Sequence, residues 1–104
     1  MTTKKAAKRT SLICNKSYGI YYGTVVNFDA INGVAVVEGC RHVCRWFGKI
    51  GGITSLAAHG LCGPRAGESR IGAPVKGEST LTGVVNIFPC SEEARATFDA
   101  AIAK

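Results

Sequence analysis

Negative charge is scarce in this 104-residue chain: seven Asp and Glu stand against thirteen Lys and Arg, a formal balance of +6. The carboxylates at 29, 38, 68, 78, 92, 93 and 99 are scattered, with no spacing that sets up a general acid–base pair. Long apolar runs are also missing. None approaches the about 18–20 residues needed to cross a bilayer, so no membrane partner is expected. The charged start, Met1 to Arg9, resembles the n-region of a signal peptide, but Leu12 and Ile13 run straight into Cys14, Asn15 and Lys16 instead of an apolar core. A cytoplasmic protein is therefore expected. Cysteines at 14, 40, 44, 62 and 90 are odd in number and cannot all pair within the chain, which points to free thiols filling small core sites.

What the chain has in excess is glycine, thirteen residues against a usual share of about 7%. That composition favours turns and short strands. One domain is expected from the length, with a basic arm over residues 1–10 and a single β-rich domain over 11–104. In the arm, Lys4, Lys5, Lys8 and Arg9 carry no hydrophobic period and serve either solubility or an acidic partner.

Tyr18 to Asp29 is dominated by aromatic and β-branched residues and predicts a strand, with Gly19 and Gly23 where a sheet bends or a second backbone comes close. Asn32-Gly33 supplies a hairpin turn, followed by a strand from Val34 to Glu38 and a third stretch from Cys40 to Phe47. Thr54 or Ser55 is suited to cap a short helix that Gly60 ends. Residues 61–69 read as loop. Arg70 to Val75 predicts a short edge strand at Pro74, and Leu81 to Phe88 a better one. Ser91 caps a last helix, whose residues Ala94, Phe98, Ala101 and Ile102 form one apolar stripe. The expected fold is α+β: a small antiparallel sheet or partly closed barrel with a C-terminal helix packed on it. A core this thin makes a homo-oligomer a reasonable expectation.

Cys40, His42, Cys44, His59 and Cys62 fall within 23 residues and invite a metal reading. In a strand, however, Cys40 and Cys44 stand about 13 Å apart, too far for one tetrahedral zinc, and no paired Cys-x-x-Cys is present. Gly48, Gly51 and Gly52 lack the Lys-Ser/Thr ending of a phosphate-binding loop. No enzyme activity, metal or cofactor is expected. The informative segment is Cys40-Arg-His-Val-Cys-Arg-Trp-Phe47. Alternation puts Arg41, Val43, Arg45 and Phe47 on one face and Cys40, His42, Cys44 and Trp46 on the other, more buriable one. The first face is either a solvated surface or a contact for phosphates and bases, which Arg65 and Arg70 would extend.

Gly19-Ile-Tyr-Tyr-Gly-Thr-Val25, Arg45-Trp46, Gly51-Gly-Ile-Thr-Ser-Leu-Ala-Ala-His-Gly60 and Ile87-Phe-Pro-Cys-Ser-Glu-Glu-Ala94 occur in an order similar to a family of short, uncharacterised phage and prophage proteins. That resemblance covers most of residues 18–96 and implies a viral source. In addition, Gly23-Thr-Val-Val-Asn-Phe-Asp29 resembles the first motif of Sm-like small barrels, which bind RNA. Together these readings give a non-enzymatic protein that binds an anionic host partner: nucleic acid, a nucleotide or a nucleoprotein complex. It would act by occupancy in the host cytoplasm, as counter-defence or host-takeover factors do. The alternative is a virion component, a decoration or head-interior protein with a basic arm.

Overall fold

In the computed structural model, which describes residues 9–17 and 19–103, three long strands build the centre of the sheet. These are β1 (Arg9–Asn15), β2 (Gly19–Asp29) and β3 (Val34–Arg45). The β2–β3 hairpin turns where Asn-Gly predicts it. Asp29 Oδ1 accepts from the Ile31 and Asn32 N–H groups at 3.0 and 3.2 Å. Helix α1 (Gly52–His59) follows, then a single 3-10 turn (Ala66–Glu68), β4 (Arg70–Ile71), β5 (Glu78–Leu81), β6 (Val84–Pro89) and α2 (Glu92–Ala100). The strand order is β4-β3-β2-β1-β6, with β5 also on β3, and every strand pairing is antiparallel. The expected α+β architecture is present, in its open-sheet form.

Strand β1 begins inside the segment read as an arm, and its residues gave no strand signal. The reason is its position. Ser11, Leu12 and Ile13 are all essentially solvent-free, because β1 lies between β2 and β6 and is covered on both faces, which erases the alternation that marks a half-exposed strand.

One face of the sheet packs Leu12, Tyr22, Val43 and Ile71 against Leu56 and Ala57 of α1 and Phe98 of α2. The Tyr22 and Phe98 rings stack at 4.6 Å. Ile13, Ala35, Val37, Cys40 and Val84 form a second core on the opposite face. Curling of the sheet covers this second face. β5 runs into β6 through Thr82 and Gly83 alone, yet β5 pairs with β3 and β6 with β1, so the two outer edges are drawn towards each other. Three bonds fix that crossing: Lys16 N–H donates to the Gly83 carbonyl and Val84 N–H to the Gly33 carbonyl, and the Asn15 side chain donates to the Thr82 carbonyl.

A bulge in β3 decides which residues meet which core. Tyr22 pairs with Arg41 and Thr24 with Glu38, so Gly23 opposes both Gly39 and Cys40. The extra residue keeps Cys40 on the face of Ala35 and Val37 and turns Arg41 and Val43 towards the helices. Only glycine fits at 23, since a Cβ there would lie 2.5 Å from the Val37 side chain and 3.0 Å from the Glu38 carbonyl.

Other expectations are adjusted. Helix α1 carries no side-chain N-cap, and the Thr54 hydroxyl instead donates to the Gly51 carbonyl. Gly60 ends it at φ +72°, where its N–H reaches the Leu56 carbonyl and a Cβ would meet the α2 backbone 2.8 Å away at Ala94. The 70–75 strand shrinks to two residues before Pro74, and the 81–88 strand is divided by the Thr82–Gly83 turn. Ser91 caps α2 as expected, accepting from Ala94 N–H at 3.1 Å. Because α2 stops at Ala100, Ile102 leaves the apolar stripe and is 81% exposed.

Burial pushes the Cys90 thiol up to about 11 from 9.0, with Arg95 pulling the other way. Burial and then its bond to Asp99 raise the Tyr22 phenol above its ordinary 10.0. Both groups hold their protons more tightly folded than unfolded, so the stability they contribute is complete below about pH 9 and is lost as pH rises from there. Urea midpoints should be level from about pH 7 to 8.5 and fall towards pH 11, and Cys90→Ala should shrink that fall. A midpoint constant up to pH 11 in the native chain would contradict this placement.

Candidate anion-binding site

Strand β3 ends at Arg45, and the chain continues through Trp46 to Phe47, which holds a neighbouring loop in place. The Phe47 N–H donates to Ser69 Oγ at 3.1 Å, and the Phe47 carbonyl accepts from Cys62 N–H at 3.3 Å. This draws residues 61–69 against the end of the sheet. The Arg65 guanidinium carbon comes to 4.2 Å from the centre of the Phe47 ring and that of Arg45 to 5.1 Å. Both are within cation–π range. Arg70 is the register partner of Arg45 across the β3–β4 ladder.

Glu68 lies among these cations. Arg65 Nε and Nη2 donate to its two carboxylate oxygens at 2.8 and 3.0 Å. The Arg65 bond holds the Glu68 carboxyl below its usual range, with Arg45 adding to the effect, and Glu68 in turn raises Arg65. Both side chains are more than half exposed, so water and salt screen the pair and an incoming anion can compete for Arg65. Three arginines against one carboxylate leave a positive surplus of two at this end of the sheet, with two of the guanidinium groups at the Phe47 ring.

Of the residues expected to form one basic face, the structure brings together Arg45, Phe47, Arg65 and Arg70. Arg41 is removed from it. It is 6% exposed, and its guanidinium donates through Nε to the Gly72 carbonyl (2.7 Å), through Nη1 to Phe98 (2.8 Å) and through Nη2 to Ala101 (2.8 Å). The expected alternation holds only from Cys40 to Val43: the helices cover the Arg41–Val43 face and leave His42 and Cys44 exposed, and a register shift between Val43 and Arg45 then separates Arg45, which is exposed, from Arg41. Arg9 stands apart as well. Its partner Val25 lies five residues along β2 from Ile20, the partner of Val43, about 17 Å at the usual rise. There Arg9 lines a cavity of about 240 Å³ with Thr10, Pro89, Cys90 and Arg95. Lys4, Lys5 and Lys8 lie outside the described residues. Among those described, no three His, Cys, Asp or Glu side chains gather as a metal site, and no helix is long and apolar enough to cross a membrane. Glu68 was missed, although its i, i+3 spacing from Arg65 is a readable signal.

A family model described as a domain of unknown function, DUF6948, matches residues 8–98. The chain belongs to the DUF6948 family. No curated protein and no solved structure matches it. The DUF6948 segment contains all six strands, α1, most of α2 and the whole Arg45–Phe47–Arg65–Arg70 cluster.

Replacing Arg41 by Ala takes a charged donor from three carbonyls, of which Phe98 keeps the Ala101 N–H at 3.2 Å while Gly72 and Ala101 lose the bond, at about 1–3 kcal/mol for each group left unbonded. We expect a loss of about 3 kcal/mol or more and a fall in Tm beyond about 10 °C, followed by circular dichroism, with Arg41→Lys recovering part of it. An Arg41→Ala protein as stable as the native one overturns this structural role.

Proposed function

We propose that this DUF6948 protein is a non-enzymatic, phage-type binding protein that engages an anionic host partner through Arg45, Phe47, Arg65 and Arg70, with single-stranded nucleic acid the best-fitting ligand. The observation that supports this reading is the stack of two guanidinium groups on Phe47. A guanidinium held against a ring keeps its N–H edge outward for phosphate oxygens, and its plane offers a surface for bases. Glu68 occupies part of that edge and is displaced when phosphate binds. The net charge of +6 adds attraction at longer range. Occupancy of a host nucleic acid or nucleoprotein would be the mode of action, as a counter-defence or host-takeover factor.

Fluorescence anisotropy with a labelled single-stranded oligonucleotide tests it. The double variant Arg45→Ala/Arg70→Ala should lose about tenfold or more in affinity and lower the salt slope by about 1.4. Glu68→Gln should bind more tightly. Lys76→Ala is the control, since Lys76 follows the Val75–Cys40 backbone bond, about 17 Å along β3 from Arg45. Equal losses for the double variant and the control would reject the patch as the binding site.

A further inference from the structure

Cys44 is the exposed cysteine among five free thiols, and it does not stand alone. Its Sγ lies 3.3 Å from His42 Nδ1, two residues back on the same face of β3. Such a spacing is hydrogen-bond distance for sulfur. With the proton of the neutral ring on Nε2, Nδ1 accepts from the thiol. The His42 carbonyl, at 3.7 Å, is a longer and weaker alternative acceptor. Tyr21, the direct cross-strand partner of His42, stacks on the imidazole at 4.9 Å and 26° and holds its orientation. A nucleophile, a base in reach of it and a third group fixing the base are the parts of an activated thiol.

We propose that His42 and Cys44 make a thiol–imidazole pair on the open face of β3, and that Cys44 is the site at which this chain forms a mixed disulfide with low-molecular-weight disulfides. His42 Nδ1 takes the proton from Cys44 Sγ, and the thiolate attacks one sulfur of the incoming disulfide. The Cys44–sulfur bond forms as the original sulfur–sulfur bond breaks. The electron pair leaves on the second sulfur; an alkyl thiolate takes the proton back from His42, whereas an aryl thiolate such as a nitrobenzoate's leaves unprotonated and His42 passes the proton to water. The disulfide is the only oxidant, and one thiol is released for each thiol consumed.

The other four cysteines are less suited. Cys40 is buried, Cys14, Cys62 and Cys90 are half-buried, and burial raises the thiols of Cys14, Cys40 and Cys90. Charged and titratable groups near the pair among the described residues include Arg45, next along β3, Arg70 across the ladder on β4, and the Tyr21 phenol on β2. Arg45 and Arg70 also belong to the proposed anion site, so an anionic disulfide such as that of a nitrobenzoate or of glutathione has cations beside its target. The chemistry at Cys44 does not depend on nucleic-acid binding.

The experiment uses the full chain and a nitrobenzoate disulfide whose released thiolate absorbs visible light. At about pH 7, one thiol per chain should react about tenfold or more faster than the rest, with peptide mapping placing the label on Cys44. Cys44→Ser should abolish that fast phase. His42→Gln should slow it about tenfold near pH 7 and little near pH 9.5, where an ordinary thiol ionises without help. Circular dichroism confirms that both variants fold. First labelling at another cysteine overturns the proposal. So does a His42→Gln rate that is unchanged, or that is lowered equally at both pH values. Unaltered oligonucleotide affinity in Cys44→Ser separates this outcome from that of the nucleic-acid reading.

Discussion

The guanidinium of Arg41 ties the sheet to its helical layer. Its three bonds go to Gly72 beyond β4, to Phe98 in the last turn of α2, and to Ala101 just past it. The last carbonyls of a helix have no partners within it, and a cation at that end also meets the negative pole of the helix dipole. One side chain therefore caps α2, anchors the segment after β4 and sets the spacing between layers. The Tyr22 hydroxyl donates at 2.7 Å to Asp99, the residue after Phe98, so the same helix end is held at two points from neighbouring strands.

On the other side of the helical layer, α1 and α2 are tied by short polar contacts. Ser91 caps α2 while its N–H and hydroxyl donate to the Ala57 and Ala58 carbonyls at the end of α1. His59 pairs with Glu93 at 2.9 Å, and Thr97 accepts from Leu61 N–H. With the helices fixed this way, the loop after α1 has a set departure point. That departure carries Arg65 to Phe47 and closes the basic cluster.

Much of this was legible in the chain. β2 declares itself by Tyr, Val and Phe at strand spacing, the turn by Asn32-Gly33, and α2 by Ser91 with two glutamates behind it. The basic-aromatic segment at the end of β3 also contains Arg45 and Phe47, two members of the cluster. What was not legible depends on contacts between distant segments. β1 is buried on both sides, and the face of β3 that turns inward depends on where the helices land. Arg41 and Arg45 are the same residue type on the same strand. Nothing local distinguishes them, yet one meets three carbonyls contributed by distant parts of the chain and the other meets solvent. Arg65 and Phe47 likewise converge through the Ser69 and Cys62 bonds, which no spacing encodes.

Strand β1 is the first strand among the described residues and lies inside the sheet between β2 and β6, pairing with β6 from Ser11–Pro89 onwards. A nascent chain therefore carries an apolar strand with one edge open until β6 has emerged. Unpaired edges of this kind recruit other chains. A product that ends before β6 keeps that edge open and would be prone to clump.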